Sequence, residues 1–168
     1  MFASDDELAQ PDELISAHQV GSLLGEKAIT LIHDPVATGP LGTVAETIRR
    51  IGGQLHAIDS SPVERWRAEV GAVADGFLGL PGGFVSLEAA FDVWTWGPAG
   101  REQPLGLLDH GDYYTALLRH ASDQAVDRFV LESQRGRLIL TKDAADLLRR
   151  MSEYRPPETR RDAPFDDD

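Results

Sequence analysis

Apolar residues recur at helical spacing in six stretches of the chain, and short continuous apolar runs lie between them. Over Asp12–Glu26 the residues Leu14, Ile15, Ala17, Val20, Leu23 and Leu24 trace a helical face. Ala28-Ile29-Thr30-Leu31-Ile32 is rich in β-branched residues and reads as a strand. His33–Pro40 holds two prolines and a glycine and reads as a loop. Leu41–Ile51 is the next helix, with Leu41, Val44, Ala45 and Ile48 on one face and Gly52-Gly53 as its stop. Gln54–Ile58 follows as a second strand. Ser60-Ser61-Pro62 has the form of a helix start, a hydroxyl cap before a first-turn proline, for a helix reaching about Ala74.

The second half repeats the alternation. Phe77-Leu78-Gly79-Leu80 is a third strand, stopped by Pro81-Gly82-Gly83. Ser86 opens a helix to Trp96, with Leu87, Ala90, Phe91 and Trp94 on one side. Gly97–Gln103 is a loop and Pro104–Leu108 a fourth strand. Asp112–Phe129 is mostly helical, with Tyr114, Leu117 and Leu118 inward. Leu138-Ile139-Leu140 is a fifth strand and Asp143–Met151 a last helix. Short, nearly all-apolar strands alternating with helices predict a parallel sheet covered on both faces. The expected fold is α/β: a Rossmann-like, doubly wound, three-layer α/β/α domain over residues 1–153, with residues 154–168 as an acidic, disordered tail. In such sheets ligands bind beyond the carboxyl ends of the strands. That singles out the loops His33–Pro40, Asp59–Pro62, Pro81–Ser86 and Asp109–Asp112.

Composition narrows the function classes. The chain has 168 residues and a formal net charge of −12. Met1–Leu14 carries five acids and no base, and Tyr154–Asp168 carries five acids against three arginines. That balance argues against a nucleic-acid partner and against an anionic membrane surface. No apolar run approaches a spanning helix, and the first residues lack the pattern of a signal peptide. Without cysteine there are no disulfides, thiolate nucleophiles or zinc-thiolate sites. The five histidines show no metal-ligand spacing. A cytoplasmic protein without metal or other cofactor is expected.

One segment carries candidate chemistry. Leu80-Pro81-Gly82-Gly83-Phe84-Val85-Ser86-Leu87-Glu88 joins a strand to a helix. Glycines allow close backbone approach, and the free N–H groups at a helix N-terminus suit a phosphate. Ser86 has two readings here, a helix cap or a bond to a phosphate oxygen. Gly82-Gly83 also serves in plain strand-to-helix turns, so the pattern alone leaves both readings open.

This segment resembles the LOG (Lonely Guy) family, phosphoribohydrolases of nucleoside 5′-monophosphates, whose signature is Pro-Gly-Gly-x-Gly-Thr-x-x-Glu after a strand. Here it reads Pro81-Gly82-Gly83-Phe84-Val85-Ser86-Leu87-Glu88-Ala89. The likeness continues through Phe91-Asp92-Val93-Trp94, Gln103-Pro104-Leu105-Gly106-Leu107-Leu108 and Gly111-Asp112-Tyr113-Tyr114, and backward through Arg67-Ala68-Glu69 and Ala74-Asp75-Gly76-Phe77. It is nearly continuous over 64–151 and weaker over 17–58. It implies hydrolysis of an N-glycosidic bond, releasing a base and ribose 5-phosphate, and a homodimer with the helices near Ser86–Trp96 and Pro62–Ala74 at its interface. Family members often carry the label of a lysine decarboxylase. A pyridoxal enzyme needs a Schiff-base lysine, and Lys27 and Lys142, the two lysines here, stand before a strand and before a helix.

The chain departs from the family pattern at several positions. The arginine of the family's Arg-Lys pair falls on Trp66 and its lysine on Arg67. The second glycine site is Val85, the threonine is Ser86 and the last glutamate is Ala89. The resemblance leaves Glu88 and Arg67 as the catalytic pair. It leaves Gly82, Gly83, Phe84, Val85, Ser86 and Leu87, with Thr38 and Gly39 from the earlier loop, as substrate-binding residues. Arg67 also reads as a surface charge, and Glu88 as a solvated first-turn residue favoured by the helix dipole. The expected partner is a small nucleotide or phosphoribosyl compound. The alternative reading is a non-catalytic nucleotide-binding module on the same fold. A weaker one is a dimerisation partner of an active paralogue. Phe2-Ala3-Ser4-Asp5-Asp6 aligns with the turn after the family's first strand, and the strand itself is missing. That strand is central in a Rossmann-type order. The sheet is therefore expected to close over a gap or borrow a strand, and the chain to start upstream or to be a shortened paralogue.

Overall fold

The structure is a computed structural model that describes residues 9–95, 103–121 and 136–156. In chain order the elements are α1 (Pro11–Glu26), β1 (Leu31–His33), α2 (Gly39–Arg50), β2 (Leu55–Ala57), α3 (Val63–Val73), β3 (Phe77–Gly79), α4 (Phe84–Thr95), β4 (Leu105–Leu108), a 3₁₀ turn (His110–Asp112), α5 (Tyr113–Ala121), β5 (Leu138–Thr141) and α6 (Ala144–Glu153). The expected alternation is present. Trp96 and the 97–102 part of its loop, the far half of the 112–129 helix and the tail beyond 156 lie outside the described residues.

Three boundaries differ from the sequence reading for physical reasons. The apolar run at 28–32 is only partly strand. The end of α1 takes its first residues: Lys27, Ala28 and Ile29 donate N–H groups to Leu23, Gly25 and Leu24, with Ala28 at φ 53°. The Ser60-Ser61 cap is not used. Pro62 is the N-cap of α3, while the Ser60 and Ser61 N–H groups bond to the carboxylates of Asp34 and Asp59. The helix expected at Ser86 starts at Phe84, which moves Ser86 from the cap position into the first turn. By contrast Asp143 caps α6 as its sequence position suggests, accepting the Asp146 N–H at 2.6 Å.

All strand pairs are parallel. β1 pairs with β2, Leu31 opposite Leu55. β3, β4 and β5 pair in that order, with Phe77 opposite Leu105 and Leu105 opposite Leu138. Side chains alternate between two apolar layers, as period-2 geometry requires. On one face Leu78, Leu80, Leu108 and Ile139 pack with Leu31 against α1, α2 and α6 through Val20, Leu24, Val44, Ile48 and Leu147. On the other, Phe77, Leu105 and Leu107 pack against α3, α4 and α5 through Val70, Val93, Trp94 and Tyr114. The result is the three-layer α/β/α arrangement of a Rossmann-like fold. Gly106 in β4 lets α6 sit directly on the sheet, since a Cβ there would collide with Met151 Sδ. No helix among the described residues is long and apolar enough to cross a membrane.

The strands form two separate sheets, β1-β2 and β3-β4-β5. Between β1 and β3 lies a cavity of about 720 Å³, lined by residues of both strands and of α1, α3 and α6. Among the described residues no strand lies in this gap.

Candidate functional site

The candidate site is the crevice beyond the carboxyl ends of β3 and β4. The chain leaves β3 through buried Leu80, Pro81 and Gly82, and Gly83 then emerges into solvent before α4 begins. Two adjacent tyrosines at the head of α5 hold this turn. The Tyr114 hydroxyl donates to the Leu80 carbonyl at 2.6 Å. The Tyr113 hydroxyl contacts the carbonyls of Gly82 and, at 3.1 Å, Gly83. Burial pushes both phenols above their ordinary range, and for Tyr114 the neighbouring Tyr113 and the Asp109 carboxylate add to it. Both therefore act as donors.

Asp109, only 1 % exposed, sets the tyrosines. Its carboxylate accepts the Tyr114 N–H at 2.7 Å, the Thr115 N–H at 3.1 Å and the Thr115 hydroxyl. It thus satisfies donors at the start of α5 that no helical carbonyl can reach.

With the carbonyls of the turn taken by tyrosines, its N–H groups are the available polar surface. The Ser86 N–H turns to the Gly83 carbonyl at 3.0 Å. That of the exposed Gly83 meets no acceptor among the described residues. The Ser86 side chain is fully buried, and its hydroxyl has no hydrogen-bond partner. An unmade hydrogen bond at a buried hydroxyl costs about 1–3 kcal/mol. A free N–H group at Gly83, a helix N-terminus and an unsatisfied hydroxyl at Ser86, within four residues, suit an anion of phosphate size. A Cβ added at Gly83 would meet open space, so the turn is approachable there. Leu87 packs partly buried against the second apolar layer and holds α4 in place.

The other predicted residues fall in different settings. Glu88 is exposed and has no hydrogen-bond or ion-pair partner among the described residues. Arg67 on α3 is engaged by Asp92 on α4, with Nε to Oδ2 at 3.1 Å and Nη2 to Oδ1. That bidentate pair keeps the guanidinium fully charged and clamps the two helices. Glu88 and Asp92 lie one turn apart on the same side of α4, so Arg67 is tethered near Glu88 without touching it. Trp66 and Ala89 pack partly buried against the second apolar layer. Arg65 pairs with Glu69 at 2.6 Å on the surface.

The loop after β1 is tied to the loop after β2. Asp34 accepts the Val36 N–H at 2.8 Å and the Ser60 N–H at 2.9 Å, joining the loops after β1 and β2. Burial opposes its ionisation. Hydrogen bonds from the Ser60 side chain and from the Val36 and Ser60 N–H groups, with the nearby His33, outweigh that and hold its carboxyl below the ordinary range. Thr38 is the N-cap residue of α2 and Gly39 its first residue, at φ 54°. His110 is exposed in the 3₁₀ turn. Lys142 is exposed and paired with Asp112 at 2.8 Å. Among the described residues no three His, Asp or Glu side chains gather to hold a metal. The sequence reading missed Asp109, Tyr113, Tyr114 and the Arg67–Asp92 clamp, because each acts across tertiary contacts that local pattern does not encode.

A family model described as "Possible lysine decarboxylase" matches residues 58–151, more than half of the chain and the whole of the Gly82–Ser86 region. The chain is 28 % identical to the cytokinin riboside 5′-monophosphate phosphoribohydrolase LOG7 of Arabidopsis thaliana, across 93 % of this chain and 81 % of that protein. It is 30 % identical to LOG2 of the same plant, of the same description, across 84 % of this chain and 76 % of that protein. It is also 30 % identical to a probable phosphoribohydrolase of that kind, LOGL1, from Oryza sativa subsp. japonica, across 83 % of this chain and 71 % of that protein. With the signature segment leading from β3 into α4 on a Rossmann-like sheet, this chain belongs to the LOG family.

Proposed function

We propose that the chain binds a nucleoside 5′-monophosphate and hydrolyses its N-glycosidic bond at a low rate, releasing the base and ribose 5-phosphate. The observation that carries the reading is the anion cradle: the free Gly83 N–H at the N-terminus of α4, with the partnerless, buried Ser86 hydroxyl three residues on. The 5′-phosphate sits on that cradle, and the ribose extends toward the exposed face of α4. In the reaction the bond between C1′ and the base nitrogen breaks, its electron pair leaves with the base, and water forms the new C1′–O bond. One water proton is passed on and the departing base gains one, so the step balances without a cofactor. Positive charge develops on the sugar ring in the transition state, and Glu88 is the carboxylate placed to stabilise it and to accept the water proton. Arg67, held by Asp92, steadies the phosphate or the leaving base. Thr38 and Gly39 form the opposite rim, and two copies of the chain associate through the α3 and α4 face.

A second reading, binding without turnover, is favoured by two observations. Arg67 is already ion-paired with Asp92, and Trp66 and Ala89 stand in the apolar layer where the family pattern has an arginine and a glutamate. Loss of one transition-state contact costs about 10²–10³ in rate. Incubation with a panel of nucleoside monophosphates, read as ribose 5-phosphate released, together with calorimetry on the same panel, separates the two. Slow turnover abolished by Glu88→Gln, with affinity kept, supports hydrolysis. Binding with no release supports the second reading. Neither binding nor release overturns both.

A further inference from the structure

We propose that Asp92 is a positioning residue for the hydrolysis: it holds Arg67 off Glu88, so that the Glu88 carboxylate stays unpaired and available to the water and the sugar. The proposal rests on the hydrolytic reading of this site and gives a role in it to a residue outside the signature segment.

Arg67 has a choice of carboxylates. It stands on α3 and reaches across to α4, where Asp92 takes both its Nε, at 3.1 Å, and its Nη2. Glu88 lies one turn before Asp92 on the same side of α4, and Cβ atoms at (i, i+4) are about 5–6 Å apart. Glu88 is exposed and without a partner among the described residues. Glu64, one turn back on α3, acts on Arg67 by its charge alone. The guanidinium therefore already points at the α4 face, and the next carboxylate along that face is Glu88. Both members of the pair are about one-third exposed, 36 % for Arg67 and 33 % for Asp92, which leaves the long arginine side chain room to swing. Arg65, the other cation of α3, is already held by Glu69.

Which carboxylate holds the guanidinium decides what Glu88 can do. A carboxylate that accepts charge-assisted hydrogen bonds from arginine has its lone pairs occupied and its charge balanced, so it takes up a proton less readily. It also offers less charge to an oxocarbenium-like sugar. Asp92 spares Glu88 this by the bidentate contact, the geometry that a fork-shaped guanidinium favours. An amide at position 92 keeps the shape of the side chain but carries one accepting oxygen and no charge. Charge-assisted hydrogen bonds are roughly twice as strong as neutral ones, so Arg67 then gains more from Glu88 than from the amide.

The test uses the full 168-residue chain in two arms. In the first, hydrogen exchange of the Arg67 Nε–H is followed by ¹⁵N NMR without substrate, at about pH 6, where carboxylates are ionised. Protection is expected in the parent and in Glu88→Gln, where Asp92 holds the proton. It should persist in Asp92→Asn, now through Glu88, and in Asp92→Asn with Glu64→Gln. It should fall at least tenfold in Asp92→Asn with Glu88→Gln. In the second arm, release of ribose 5-phosphate from AMP, GMP, CMP and UMP is measured. Asp92→Asn should lower kcat at least tenfold and leave KM within threefold, because the turn that takes the phosphate is untouched. Asp92→Glu, which restores a carboxylate, should recover most of the rate. Loss of protection in Asp92→Asn alone, or its loss with Glu64→Gln, would overturn the proposal. No release by the parent would overturn the hydrolytic reading and this role with it. Release by the parent with kcat unchanged in Asp92→Asn would overturn this role alone.

Discussion

Ser86→Ala should stabilise the free protein and weaken its ligand, an opposition of sign that few positions can show. The hydroxyl is fully buried and makes no hydrogen bond, so the folded state carries its desolvation cost of about 1–3 kcal/mol without return. Alanine removes that cost, leaves a void of one oxygen and has the better helix propensity in the first turn of α4. A net gain of about 1 kcal/mol is expected, which in a chain of this length raises the melting temperature by about 2–4 °C. In the proposed complex the same hydroxyl would donate to a phosphate oxygen. A hydrogen bond to a charged group contributes about 1.5–3 kcal/mol, so affinity should fall roughly 10- to 100-fold. Differential scanning calorimetry of the free proteins and titration calorimetry with ribose 5-phosphate or AMP read the two effects. A destabilised variant that binds as well as the parent would refute the reasoning, because Ser86 would then be an ordinary packing residue.

Gly83→Asp should fold normally, since its Cβ enters open space, and should lose phosphate binding through the carboxylate placed beside the cradle; titration calorimetry checks this. Trp66→Arg with Ala89→Glu should raise nucleotide hydrolysis by up to ~10³-fold, with a lower melting temperature because both side chains pack against the second apolar layer. Asp34 ionises more readily in the folded state than its ordinary value of 3.8. Its contribution is therefore complete above that pH and lost as pH falls through the lower, folded value. Asp34→Asn should flatten the acid side of the stability curve below about pH 4, measured by urea titrations at several pH values.

The elements most legible in the sequence were those whose pattern is local. The α2 stripe of Leu41, Val44, Ala45 and Ile48, all buried, needed only the 3.6-residue period. The helix expected from Asp143 and the Gly82-Gly83 turn are equally local. The first strand begins at Leu31, three residues after the apolar run does, because Ile29 has the right side chain but the end of α1 claims the N–H groups of Ala28 and Ile29. Ser60 resembles a cap, yet its N–H belongs to Asp34, 26 residues away. The candidate site divides the same way. Its turn after β3, the proposed anion cradle, is written in consecutive residues. The groups that shape it, Tyr113 and Tyr114 some 30 residues on and Asp92 some 25 residues from Arg67, are joined to it only by the fold.

The grip of the two tyrosines on the turn after β3 has a consequence for the speed of binding. Because the carbonyls of Leu80 and Gly82 are already held, the donors of the turn are set before any ligand arrives, and little rearrangement follows encounter. Encounter itself then governs the rate. An anion approaching a chain of net charge −12 is repelled at long range, and mobile ions shorten that repulsion to about 8 Å at physiological salt. The association rate of a nucleotide should therefore rise as salt is added, the reverse of the behaviour of a basic phosphate pocket.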